Sequence, residues 1–187
     1  MMGHHNSQLM RILLLVLIVS IASNANAQLL TQEKSRVTFF SDALLEDITA
    51  TTTKAVALID ISKSEVAFEV PIKEFQFEKD LMKQHFNEKY METELYPKAT
   101  FAGKLVGFSG SKNGEQSVTA EGKLTIHGVT KEVKIPGTIE LADGKKAVMK
   151  AKFIVKLEDY KVKIPSVVFQ NIAEEVEVTV EFTMKAK

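Results

Sequence analysis

From Glu175 to Met184 the chain alternates without a break: Val176, Val178, Val180, Phe182 and Met184 are apolar, while Glu175, Glu177, Thr179, Glu181 and Thr183 are polar. A period of two places the first set on one face of an extended strand and the second on the other. The same alternation recurs upstream. Val66, Phe68, Val70 and Ile72 oppose Glu65 and Glu69, and Val118, Ala120, Gly122, Leu124 and Ile126 oppose Thr119, Glu121, Lys123 and Thr125. Val133, Ile135, Ile139 and Leu141 form another dry face, as do Met149, Ala151, Phe153 and Val155 against Lys150, Lys152 and Lys156. Shorter versions run through 35–40, 48–60 and 98–108. The pattern predicts about eight strands.

Turn chemistry falls between these runs, in "KNGE" at 112–115, "HGV" at 127–129 and "ADGK" at 142–145. Connections this short join antiparallel neighbours, so the sheet is a meander. In the "HGV" turn, Ile126 ends one dry face and Val133 resumes the next, with Gly128 free to take a positive φ. His127 is therefore expected at a hairpin end, without a chemical role. One segment breaks the period of two. From Glu78 to Tyr90, Leu81, Met82, His85, Phe86 and Tyr90 recur at three- and four-residue spacing, which predicts an inserted amphipathic helix over 78–90. A sheet with one apolar face hides it by closing into a barrel or by stacking as a sandwich, and alternation alone does not choose.

The first 27 residues stand apart. Arg11 precedes an apolar run from Ile12 to Ala22, too short for a membrane span of roughly 20 residues, and Ala25-Asn26-Ala27 fits a small-x-small cleavage site. Residues 1–27 are read as a secretory signal peptide cleaved before Gln28, and residues 28–187 as one domain in the periplasm or outside the cell. His4 and His5 go with the leader, leaving His85 and His127. Without Arg11, 23 basic side chains face 24 acidic ones with no long run of either sign, which argues against a nucleic-acid partner. The chain has no cysteine, so neither a disulfide nor a lipoprotein anchor is available to it. With no Trp and three Tyr, it also lacks the aromatic girdles of an outer-membrane barrel, and Lys and Glu crowd its wet faces. No transmembrane segment is expected in the mature chain.

Candidate chemistry is sparse. A zinc site takes three or four ligands, and His85 with Glu88 one helical turn away supplies half a set, so no metal or cofactor is expected. "GFSGS" at 107–111 lacks the spacing and the following helix of a nucleophile elbow. No phosphate-cradling glycine motif occurs, and Glu92 and Glu94 are not distinguished from ordinary surface carboxylates. No catalytic residue is assigned, and the chain is not expected to be an enzyme.

"GKLTIHGVTKEVKI", from Gly122, closely resembles the glycine-x-leucine-threonine-x-x-glycine-valine-threonine-lysine hairpin of the YceI-like family of exported lipid-binding proteins. "SRVTFF", with Ser35, Val37 and Phe39, is similar to that family's first strand. "HFNEKYMETELYPKATF" resembles its acidic Tyr-Pro segment, here Tyr96, Pro97 and Phe101. The resemblance spans nearly the whole of 28–187 in the right order. It implies an eight-stranded antiparallel barrel of lipocalin-like architecture, with a helix beside the mouth and a tubular interior for a long isoprenoid chain. Two family elements are replaced, a Gly-x-Phe element by "LLEDITATTTK" and an Arg-Asp pair by "EKDLMKQHFN", and both replacements bear on the mouth.

Two functions follow. In the first, the protein is a periplasmic carrier of a long-chain isoprenoid or other amphiphilic lipid, of polyprenyl phosphate or quinone type. The dry faces then supply the lining, expected at Phe39, Phe68, Phe101, Leu124, Ile126, Phe153 and Phe182, with Phe77, Met82 and Phe86 closing one end. In the second, eleven Phe and seven Met fill the barrel, and the protein is a non-catalytic interaction module of the envelope.

Overall fold

The computed structural model describes residues 28–42, 47–164 and 173–187; the expected leader, residues 1–27, lies outside them. The strands are β1 (Leu29–Ser41), β2 (Ile48–Thr52), β3 (Val56–Asp60), β4 (Glu65–Pro71), β5 (Gln76–Phe77), β6 (Lys98–Val106), β7 (Gly114–Ile126), β8 (Val129–Ala142), β9 (Lys146–Lys156) and β10 (Glu175–Ala186). Every neighbouring pair is antiparallel, and β10 pairs with β1 to close the sheet. Closure settles the choice between barrel and sandwich, because a closed sheet has no edge left to stack.

The ten strands reduce to eight barrel positions. β1 pairs with β3 through Leu29–Thr31 and with β2 through Val37–Ser41, so β2 and β3 are two halves of one interrupted strand. β5 adds two residues to the outer side of β2. In β1 the inward parity changes from Leu30 to Val37, because Glu33 is an extra residue between the Gln32↔Met184 and Lys34↔Thr183 pairs. Such a bulge moves the following side chains to the opposite face. On the outer surface, lysines pair with glutamates of neighbouring strands, as in Lys152–Glu177 at 2.8 Å and Lys134–Glu121 at 3.0 Å. Exposed pairs of this kind add little stability but keep the wet face polar.

The insertion between β4 and β6 forms α1 (Asp80–His85), which runs directly into a π-helical turn (Phe86–Tyr90). "DLMKQH" contains no β-branched residue, glycine or proline to oppose a helix. The Met91 N–H donates to the Phe86 carbonyl at 2.9 Å, the wide bond that ends the turn. The base of the insertion is tied by the Ile72 N–H donating to the Pro97 carbonyl at 2.9 Å. No residue of α1 is fully buried, so the helix lies across the barrel end rather than inside it.

His127 occupies the predicted turn, with φ 50° at His127 and 72° at Gly128, the paired positive values of a tight β7–β8 hairpin. Its side chain departs from the expectation of a simple turn residue. The imidazole is buried, with Nε2 2.9 Å from Glu92 Oε2 and Nδ1 3.3 Å from the Tyr160 carbonyl. A buried polar ring needs such partners.

Candidate functional site

At the end of the barrel covered by the insertion lies a cavity of about 820 Å³. This is toward the upper end of the roughly 300–1,000 Å³ usual for small-molecule sites. Its wall is built from the dry faces of the strands. β10 contributes Val176, Val178 and Val180; β9 contributes Phe153 and Val155; β7 contributes Leu124 and Ile126. Phe68 and Val70 come from β4, and Val37, Phe39 and Ser41 from β1. In each strand these are alternate residues near one end, as a barrel interior requires.

The insertion completes the rim with Phe75, Phe77, Leu81, Met82, Phe86 and Tyr90. Phe86 stacks on Phe39 at 5.4 Å and 20°, and lies 5.0 Å from Phe77 and 5.9 Å from Phe75. Phe75 in turn lies 5.3 Å from Phe39. Aromatic pairs at such separations hold one another in place and leave an apolar surface facing the cavity.

Polar groups are few and concentrated in Ser41, Lys79, His85, Tyr90 and Tyr160. The Ser41 hydroxyl accepts the Ala173 N–H at 3.0 Å, which joins the end of β1 to the segment before β10. Burial raises the pKa of Tyr90 above the ordinary phenol value, and burial followed by the neighbouring Asp159 charge does the same for Tyr160. Both stay protonated at neutral pH and offer hydroxyls rather than charges. No aspartate or glutamate occurs among the described lining residues.

Eight of the ten residues expected to line the interior do so: Phe39, Phe68, Phe77, Met82, Phe86, Leu124, Ile126 and Phe153. Phe101 and Phe182 do not. They point inward as expected but sit beneath the cavity, each 2% exposed, with Phe68 stacked on Phe101 at 5.1 Å and 6.0 Å from Phe182. Deeper still, Leu30, Ile59, Ile139, Leu141 and Met184 are buried in a solid core. The barrel is thus hollow toward one end and filled toward the other. Sequence reasoning passed over Phe75, Tyr160 and Val162, which lie in irregular segments where no alternation marks an inward face.

The other candidates do not assemble into chemistry. The Gln84 amide donates to Glu88 at 3.2 and 3.3 Å, while His85 faces the cavity, so the two are not a paired site. Among the described residues, no group of three or more His, Asp or Glu side chains is placed to hold a metal ion. Ser109 Oγ lies 3.0 Å from Ser111 Oγ, in a loop whose Ser109 N–H is held by Gln116.

A family description of the YceI-like domain matches residues 29–184. The chain belongs to the YceI-like family. Three solved structures share its fold. A polyisoprenoid-binding domain from Saccharophagus degradans, implicated in plant cell wall breakdown, superposes with a TM-score of 0.73 at 15% identity, covering 84% of this chain and 98% of its own. BcnA of Burkholderia cenocepacia gives 0.64 at 19% identity, covering 80% and 95%. A YCEI protein of Campylobacter jejuni gives 0.54 at 20%, covering 72% and 81%. No curated protein matches the chain.

The segments that carry the YceI-like resemblance meet in space. The Tyr96 ring of the Tyr-Pro segment lies 4.3 Å from the His127 imidazole and packs on Gly128 so closely that a Cβ there would come within 2.6 Å of Tyr96 Cε1. Glu92, from the same acidic segment, closes the contact on Nε2. The hairpin glycine is therefore needed twice, for its φ and for the space above it. Through the Tyr160 carbonyl the contact reaches a residue that lines the cavity.

Proposed function

We propose that the protein is a carrier of a long-chain isoprenoid lipid, held by its tail in the hollow part of the barrel. On this reading residues 1–27 export the chain, cleavage precedes Gln28, and residues 28–187 form the carrier domain in the periplasm or outside the cell. The observation that carries the proposal is the 820 Å³ cavity walled by Val, Leu, Ile, Phe and Met, with its few polar groups in a minority. Its apolar lining suits capture of an apolar chain, which favours binding as its role. Among the described residues no helix is long and apolar enough to cross a membrane.

Each methylene taken from water into such a wall contributes about 0.8 kcal/mol, so a long tail supplies nominal affinity in excess. Selectivity then rests on the polar groups that meet the head. Among the described lining residues, the basic side chains are Lys79 and His85. A head of polyprenyl phosphate or quinone type, whose oxygens accept hydrogen bonds from such groups, fits that lining. The reading of the barrel as an interaction module keeps a basis in its filled part, but the cavity is what that reading leaves without a purpose. Protein purified under native conditions and extracted into organic solvent tests the proposal: a long-chain isoprenoid in the mass spectrum is the expected result, and an extract free of lipid from protein that also takes up no added prenol refutes it.

A further inference from the structure

The boundary between the hollow and filled parts of the barrel falls at the same level on several strands. Along β10, Val180 lines the cavity and Phe182, the next residue on that face, does not; along β7 and β6, Leu124 lines it while its cross-strand partner Phe101 does not. Val180 pairs with Val37, another lining residue, and Phe182 pairs with Ser35, which lies outside the lining. Three rings occupy this level. Phe68 faces the cavity, stacks on Phe101 at 15° between planes, and lies 6.0 Å from Phe182. Behind them, Ile59, Ile139 and Met184 have no exposed surface, so the space below is already taken.

We infer that the Phe68, Phe101 and Phe182 rings are a stop that sets the longest prenyl chain the barrel accepts. The inference rests on the carrier reading above and adds a length limit to it. A chain entering past α1 gains affinity with each methylene it buries, by about fourfold at 25 °C. Once its end meets the three rings, a further unit must either displace a close-packed core or stay outside in water. Close-packed interiors resist the first, and the second gains nothing. Affinity should therefore rise with chain length and then level off at a length fixed by the depth of the rings.

The test is a series of linear all-trans prenols, from farnesol to solanesol, titrated into the full mature chain and into two variants. Phe182→Ala vacates about the room of one isoprene unit below the stop and is expected to move the plateau to a longer prenol by one unit. Val180→Phe fills space just above the stop, leaves the core beneath intact, and is expected to move the plateau to a shorter prenol. If Phe182→Ala does not fold, the direction of the Val180→Phe shift decides alone. A wild-type plateau that stays at the same prenol in every folded variant overturns the stop and leaves the carrier reading standing. Failure of the wild type to bind any prenol overturns both.

Discussion

The Phe86 ring lies parallel to Phe39 at 5.4 Å, joining the π-helical turn to the first strand of the barrel. The insertion thereby contributes wall as well as cover, since both rings face the cavity. An ionised carboxylate at this point would stand among the Phe39, Phe75 and Phe77 rings, which displace its water without accepting its charge. Phe86→Asp is expected to weaken prenol binding by more than about tenfold, equivalent to ~1.4 kcal/mol. The strands should be spared, because α1 and its turn bury no residue fully. Thermal unfolding should then shift by no more than about 4 °C, the change expected for ~1 kcal/mol in a domain of this size. Undiminished binding by a folded variant would show that the insertion is not part of the wall.

His127 is expected to matter for stability. His127→Ala removes the partner of Glu92 and of the Tyr160 carbonyl, a loss of about 1–3 kcal/mol for a buried polar contact. Glu92 is half exposed and can return to water, so most of the cost should come from the carbonyl and the vacated space. Denaturant unfolding of His127→Ala, Glu92→Gln and the double variant should show less than additive losses, because the two residues share one contact. Gly128→Val is expected to be at least as damaging, since it combines a strained φ with the overlap on Tyr96. Wild-type stability in both His127→Ala and Gly128→Val would contradict the geometry described for the hairpin.

Asp60 ends β3 and organises the turn into β4. Its carboxylate accepts the Ser62 hydroxyl at 2.5 Å and the Lys63 N–H at 3.1 Å, with the Lys63 ammonium 3.2 Å away. The Ser62 hydrogen bond first, and then the contacts with Lys63, hold its pKa below the ordinary value of 3.8, against an opposing effect of desolvation. A carboxyl whose pKa is lower in the folded state stabilises the fold above its unfolded value and loses that contribution as pH falls through the folded one. The wild type should therefore lose stability below about pH 4 more steeply than Asp60→Asn, which cannot titrate. Parallel acid-unfolding curves for the two proteins would remove Asp60 from the account.

Much of this architecture is legible in the amino-acid order because a strand with one wet face declares its inward residues. Val176, Val178, Val180 and Phe182 are equally readable as one dry face, yet the first three line the cavity and the fourth lies beneath it. Alternation gives direction, while depth along the barrel axis comes from register, and the register here includes the bulge at Glu33 and the break between β2 and β3. Phe68 and Phe101 illustrate the same point across strands: they are register partners, and only one meets the cavity. The polar contact of His127 was hidden for a different reason. Its partners are 35 and 33 residues away in sequence, in segments with no periodic signal.

The central claim is that a barrel filled toward one end keeps the other open for an apolar chain, and a crystal structure of the mature protein saturated with a long prenol tests it most directly. The predicted result is continuous density running from the rim at Met82 and Phe86 down to the Phe68 ring, with Phe101 and Phe182 unmoved beneath it. An interior packed solid by its own side chains where the cavity is described, with the prenol absent or bound only on the outer surface, would contradict it.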